Sequence, residues 1–278
     1  MSQLIHLKQR IKAIGAIKKI TQTMRLVSMS SHSKLKKQTD NLLRFRDEIR
    51  PLLCALTSEN QHEVNAHPPK FKTLYILFGA EKGLCGTFNS SMNAYFHKHL
   101  TPDKLENSHI VAVGKKAHEY LKEVNIKPLC EFEKVLPNQL EKIAQDIYER
   151  VIHIHKHYES VVCLYSFPRT FFNQEPETVQ IIPVQQDPCN LKTDINLNDY
   201  EWLQDRQDVT RSMFHILLKT NLLLILSSSM LSEQSARFVS MDNATRSAET
   251  LLKEMKLAFN KLRQAKITRE LIELISSF

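Results

Sequence analysis

Apolar residues in the first segment fall at Leu4, Leu7, Ile11, Ile14, Ile17, Ile20, Met24 and Val27, in steps of three and four. Such steps mark a helix-packing seam, because residues so spaced share one side of a 3.6-residue turn. The stripe thins through Ser28-Met29-Ser30-Ser31-His32-Ser33 and resumes at Leu35, Leu42, Phe45, Ile49, Leu52 and Leu56. A second helical pattern fills the end of the chain, through Val209, Met213, Ile216, Leu217, Leu224, Leu231, Phe238, Met241, Ala248, Leu252, Met255, Leu262, Leu271 and Leu274. Between the two, short apolar runs alternate with helical stretches. Residues 73–78, 109–113, 161–165 and 178–184 read as strands, and 89–100, 115–124 and 138–158 as helices. Strand–helix–strand units of this length imply a largely parallel sheet covered by helices.

Chain breakers sharpen the division. From Cys189 to Phe278 there is neither glycine nor proline, and the first fifty residues contain only Gly15. Ends without breakers around a middle that has them predict two long terminal helices flanking an α/β insert. The expected domains are an N-terminal helix over 1–57, an α/β domain over 58–204 and a C-terminal helix over 205–278. Pro51 kinks the first helix or ends it, and 58–70, with His67-Pro68-Pro69, reads as a linker. Two helices this long most economically bury their seams on each other, as an antiparallel coiled coil.

Composition narrows the class. A hydrophobic fraction of 42% with 24% charged residues suits a soluble protein with a buried core. No run approaches the roughly 18 apolar residues that span a bilayer, and the start of the chain lacks a signal pattern, so a cytoplasmic location is expected. Five scattered cysteines without a C-x-x-C pair read as reduced thiols. The net charge of +8 matters mainly through its placement. Residues 1–50 hold twelve Lys/Arg against Asp40, Asp47 and Glu48, an excess of nine. A basic rod wants an acidic partner. Phe45 is the only aromatic in that stretch, which favours an acidic protein surface over nucleic acid.

Candidate chemistry is sparse. Gly79-Ala80-Glu81-Lys82-Gly83-Leu84-Cys85-Gly86 stands between a strand and a helix, where a phosphate loop would sit. It matches neither G-x-x-x-x-G-K-[ST] nor G-x-G-x-x-G, and reads instead as a tight turn with Cys85 packed inside. His153 and His157 have the i, i+4 spacing of a helical ligand pair, while His155 points elsewhere. Two histidines without a third ligand read as a solvated face. No catalytic site, metal site or cofactor is expected.

Four blocks carry a resemblance. They are Arg10-Ile11 through Lys19-Ile20-Thr21-Gln22-Thr23-Met24, the central Lys82-Gly83-Leu84-Cys85-Gly86, Ser232-Glu233-Gln234-Ser235-Ala236-Arg237-Phe238-Val239-Ser240-Met241, and Ala265-Lys266-Ile267-Thr268-Arg269-Glu270-Leu271-Ile272-Glu273. In this order they resemble the gamma-subunit family of rotary F-type ATP synthases over essentially the whole chain. The resemblance departs at Ser277, which takes a position usually held by glycine.

The resemblance implies a non-catalytic central rotor shaft that couples ion-driven rotation of a membrane ring to ATP synthesis or hydrolysis on the beta subunits. It implies as partners the alpha/beta hexamer, the epsilon subunit and the ring, and no nucleic acid. It also implies a peripheral place on the cytoplasmic face of the inner membrane. Carried over residue by residue, partner contacts fall on Lys19, Ile20, Thr21, Met24 and Arg25, and on Arg237 and Met241. The seated tip comprises Ile267, Thr268, Arg269, Glu270 and Glu273, and the turn of the foot domain comprises Gly83, Leu84, Cys85 and Gly86. The alternatives are a basic coiled-coil module that binds nucleic acid, a divergent gamma paralogue that couples poorly, and an enzyme built on the insert.

Overall fold

A computed structural model describes residues 2–58, 71–105, 108–153, 158–182, 197 and 201–277. The elements are α1 (Ser2–Ser58), β1 (Phe71–Phe78), α2 (Phe88–His99), α3 (Pro102–Leu105), β2 (Ser108–Val113), α4 (Lys115–Glu123), β3 (Cys130–Phe132), α5 (Leu140–Ile147), β4 (Tyr158–Pro168), β5 (Gln174–Ile182) and α6 (Arg206–Ser276). By packing, the chain forms two compact units, residues 31–236 and residues 1–30 with 237–278. Each long helix contributes to both.

The unit of residues 31–236 is built on a five-stranded sheet in the order β3-β2-β1-β4-β5. All neighbours are parallel except β5, which runs antiparallel to β4. β1 is apolar on both faces because both are covered. Leu74, Ile76 and Phe78 join Val111, Val113, Val161 and Cys163 in a core with α5, Leu35 of α1, and Leu218, Leu222 and Ile225 of α6. Leu77, with Ile110, Ala112 and Leu164, faces the other way onto Met92 and Phe96 of α2 and Ala117 and Leu121 of α4. Alternation along one strand thus feeds two hydrophobic layers.

Several expectations shift. Pro51 does not end the first helix, since α1 is described through it as far as Ser58. The helix expected over 138–158 is the short α5, then a wider π-helical turn, Tyr148–His153, before β4 begins at Tyr158. His155 and His157 lie outside the described residues. β3 escaped notice because three residues are too few for a period, and α3 likewise. An apolar window in α6 is long enough by composition to cross a bilayer, but 67% of it is buried inside the protein. Packing against the sheet explains that apolarity. The glycine after β1 also has a packing cause, since a Cβ on Gly79 would stand 2.5 Å from the Ala117 nitrogen of α4.

Candidate partner-binding surface

In the unit of residues 1–30 and 237–278, three contacts set how the two helices pair. Lys18 and Glu249 form an ion pair at 2.9 Å, and Arg25 Nη1 donates to Asp242 Oδ1 at 2.6 Å. The Thr21 and Thr245 hydroxyls lie 2.8 Å apart, both residues buried. The two residue numbers in each pair add to 266 or 267, so α1 and α6 run antiparallel in a constant register. Asp242 is also gripped by Arg246 Nε at 2.9 Å. Hydrogen bonding from Arg25, with the charge of Arg246 beside it, holds the Asp242 carboxyl below its usual range. Lys18 does the same to Glu249.

The seam therefore follows Leu4, Leu7, Ile11 and Ile14 and then turns to Lys18, Thr21, Arg25 and Ser28, while the apolar stripe leaves it. At about 100° per residue, three successive steps of three place Ile20 about 180° from Ile11. Steps that alternate four and three stay on one face. Ile17, Ile20, Leu26 and Val27 are accordingly 51 to 65% exposed. On α6 the buried positions Met241, Thr245, Ala248 and Met255 keep the same rhythm. From Ile267 onward α6 has run past the start of α1, and Ile267, Leu271, Ile272, Leu274 and Ile275 are 48 to 76% exposed. The interior of this helix pair is polar in its middle, and its exterior carries aliphatic side chains.

The residues singled out from the sequence divide accordingly. Lys19 and Ile20 face solvent, Met24 is half-buried, and Arg25 spends its guanidinium on Asp242. Thr21, Arg237 and Met241 are buried. At the tip, Ile267, Thr268, Arg269, Glu270 and Glu273 are all exposed. There the Thr268 hydroxyl bonds back to the Gln264 carbonyl at 3.0 Å and Glu270 pairs with Lys266 at 3.3 Å. In the other unit, Leu84 (φ 64°) and Gly86 (φ 60°) turn the chain from β1 into α2, with Leu84 exposed. Gly83 has open space around it. Cys85 is buried, its sulfur 3.2 Å from Asn89 Nδ2. Lys18, Asp242, Thr245, Arg246 and Glu249 were missed. Counting positions 18, 21, 25 and 28 as a continuation of 4, 7, 11 and 14, whatever their polarity, would have exposed the seam.

A family model described as ATP synthase matches residues 3–278. The chain is 31% identical to the ATP synthase gamma chain of Clostridium beijerinckii, over 98% of this chain and 96% of that one. The chain belongs to the ATP synthase gamma-chain family. Solved structures agree on the fold. A chain of the Euglena gracilis mitochondrial ATP synthase (OSCP/F1/c-ring, rotational state 3) matches with a TM-score of 0.68 at 17% identity, covering 99% of this chain and 93% of that one. Another, from the rotor of that enzyme in rotational state 1, gives 0.67 at 15% identity, covering 96% and 99%. None of these likenesses supports a nucleic-acid-binding module. For a member of this family, the exposed aliphatic side chains of the helix pair are the surface to explain.

Proposed function

We propose that the chain is the central shaft of a rotary ATP synthase, non-catalytic by itself, which couples ion-driven rotation to synthesis or hydrolysis on partner subunits. One observation carries the reading: the helix pair, in a chain of this family, keeps a row of aliphatic side chains, Ile17, Ile20, Leu26 and Val27 among them, on its exterior while threonines and ion pairs fill the middle of its interior. Exposed apolar side chains clustered along one element mark a protein contact when they form a continuous patch. Apolar contact is also non-directional, so a surface sliding past it meets no fixed register of hydrogen bonds to break. Charged contacts made and broken at each step suit the same task, because exposed ion pairs are worth only about 0–1 kcal/mol.

On this reading Lys19 and Ile20 meet the moving segments of the beta subunits. Thr21, Arg25 and Met241 act from beneath by holding the two helices in register, and Met24 lies at the edge between the two roles. The tip from Ile267 to Glu273 seats in the upper part of the alpha/beta hexamer. The α/β unit, with its turn at Gly83, Leu84, Cys85 and Gly86, rests on the epsilon subunit and the membrane ring. The complex would lie on the cytoplasmic face of the inner membrane, with this chain as a peripheral subunit. The test is ATP hydrolysis by the matching alpha and beta subunits, co-expressed with and without this chain. A stable complex holding one copy, with turnover that depends on it, is expected. Failure to co-purify with folded partners would sink the reading.

A further inference from the structure

At the sheet edge, α4 and β3 bring together three side chains that the shaft function does not use. His118 lies on α4, and Glu131 and Glu133, two apart, leave β3 and its exit on one side. One ligand atom from each of the three lies within 4.8 Å of the others. The His118 side chain is only 9% exposed. Its Nδ1 is buried and lacks a hydrogen-bond partner. Glu131 Oε1 approaches that nitrogen to 3.1 Å, outside hydrogen-bonding geometry. We propose that His118, Glu131 and Glu133 bind a divalent transition-metal cation of the zinc class.

The geometry suits such an ion. Imidazole and carboxylate ligands sit about 2.0–2.2 Å from zinc in a tetrahedral shell, which puts neighbouring donor atoms about 3.3 Å apart. The His118–Glu131 separation is already near that value, and Glu133 is exposed and free to swing inward. A set of one nitrogen and two oxygens with no thiolate fits zinc, manganese or iron(II). Three protein ligands leave a fourth position for water. On α4, the ammonium groups of Lys115 and Lys116 are engaged with another acid, since both pair with Glu119.

The frame around the three is held in place. Gly114 N donates to the Phe132 carbonyl at 2.7 Å, joining the start of α4 to the end of β3. Glu81 Oε2 accepts from Lys115 N at 3.3 Å and from Val135 N at 3.4 Å, spanning the same gap. Gly114 takes φ +90°, and a Cβ there would fall 2.2 Å from the Gly79 oxygen, so this corner admits only glycine. Lys134, at φ 59°, turns the chain directly after Glu133. β3 pairs with β2 over only three residues. An ion shared with α4 would staple this short edge strand to the rest of the unit.

The full chain, stripped with a chelator, should be titrated with Zn²⁺ by calorimetry and by thermal unfolding. One saturable site, a rise in melting temperature and an X-ray absorption spectrum with one imidazole, oxygen donors and no sulfur are expected. Glu133→Gln, at an exposed position, should fold normally and weaken binding by about tenfold or more. His118→Gln should abolish the imidazole signature. Absence of a saturable site would overturn the proposal and leave the trio as an ion-pair cluster. Affinity unchanged in Glu133→Gln would also overturn it, as would a shell containing sulfur or several imidazoles.

Discussion

The two compact units differ in what fills their interiors. The α/β unit hides large aliphatic and aromatic side chains, with Leu74, Ile76, Leu77, Phe96, Leu121 and Leu164 at or near zero exposure. The helix pair hides Thr21 and Thr245 beside Met241, Ala248 and Met255, half-hides ion pairs, and leaves Ile20, Val27 and Ile275 outside. The α/β unit has a large apolar interior of its own. The helix pair keeps a larger share of its aliphatic side chains at the surface. The difference teaches that an apolar residue on a long helix is no guide to which face packs inward when the helix has two sets of partners.

Truncations test this from the α/β unit first. Phe96→Ala empties a fully buried site and should cost about 3–5 kcal/mol, read as a lower urea midpoint. In the helix pair, Thr245→Val deprives the Thr21 oxygen and the Met241 carbonyl of a buried hydroxyl neighbour and should cost about 1–2 kcal/mol. The double variant Thr21→Val/Thr245→Val should cost less than the two single changes together, because no orphaned hydroxyl remains between the helices. An additive double variant would show that the pair is not coupled.

Acid probes the ion pairs. The Asp242 carboxyl is harder to protonate folded than unfolded, because Arg25 and Arg246 hold its charged form. Its contribution is therefore complete above the unfolded value of about 3.9 and lost as pH falls through the lower folded value. Stability against pH should fall less steeply there in Arg25→Ala than in the natural chain. The smallest effect on the free chain is expected outside. Ile20→Ser with Val27→Ser should change the unfolding free energy, read from urea titration, by less than about 0.5 kcal/mol, yet lower the ATP turnover of a reconstituted alpha/beta assembly several-fold. Unchanged turnover would break the comparison.

Much of this was legible beforehand. The missing breakers marked both long helices, and the alternation of short apolar runs with helical stretches announced a mainly parallel sheet covered by helices. The seam was misread beyond Ile14 because apolarity and helical phase part company there. Leu84, Cys85 and Gly86 could be placed in a turn by their neighbours, but the Cys85 core contact depends on α2 packing back. The carboxylate of Glu81, which bridges α4 and the exit of β3, had no periodic signature at all. Groups that act by bridging elements distant in sequence leave no local pattern to read.

The constant register of the helix pair has a further consequence at its free end. By that register Ser2 falls opposite about residue 265, so the last ten or so residues of α6 stand as a single helix. An isolated helix of that length is marginal in water, chiefly because its first turn is hard to nucleate. Here the nucleus already exists, and the overhang only propagates from a turn held below it. It should melt from Ser276 inward, residue by residue, as a graded helix–coil equilibrium separate from the cooperative unfolding of the rest.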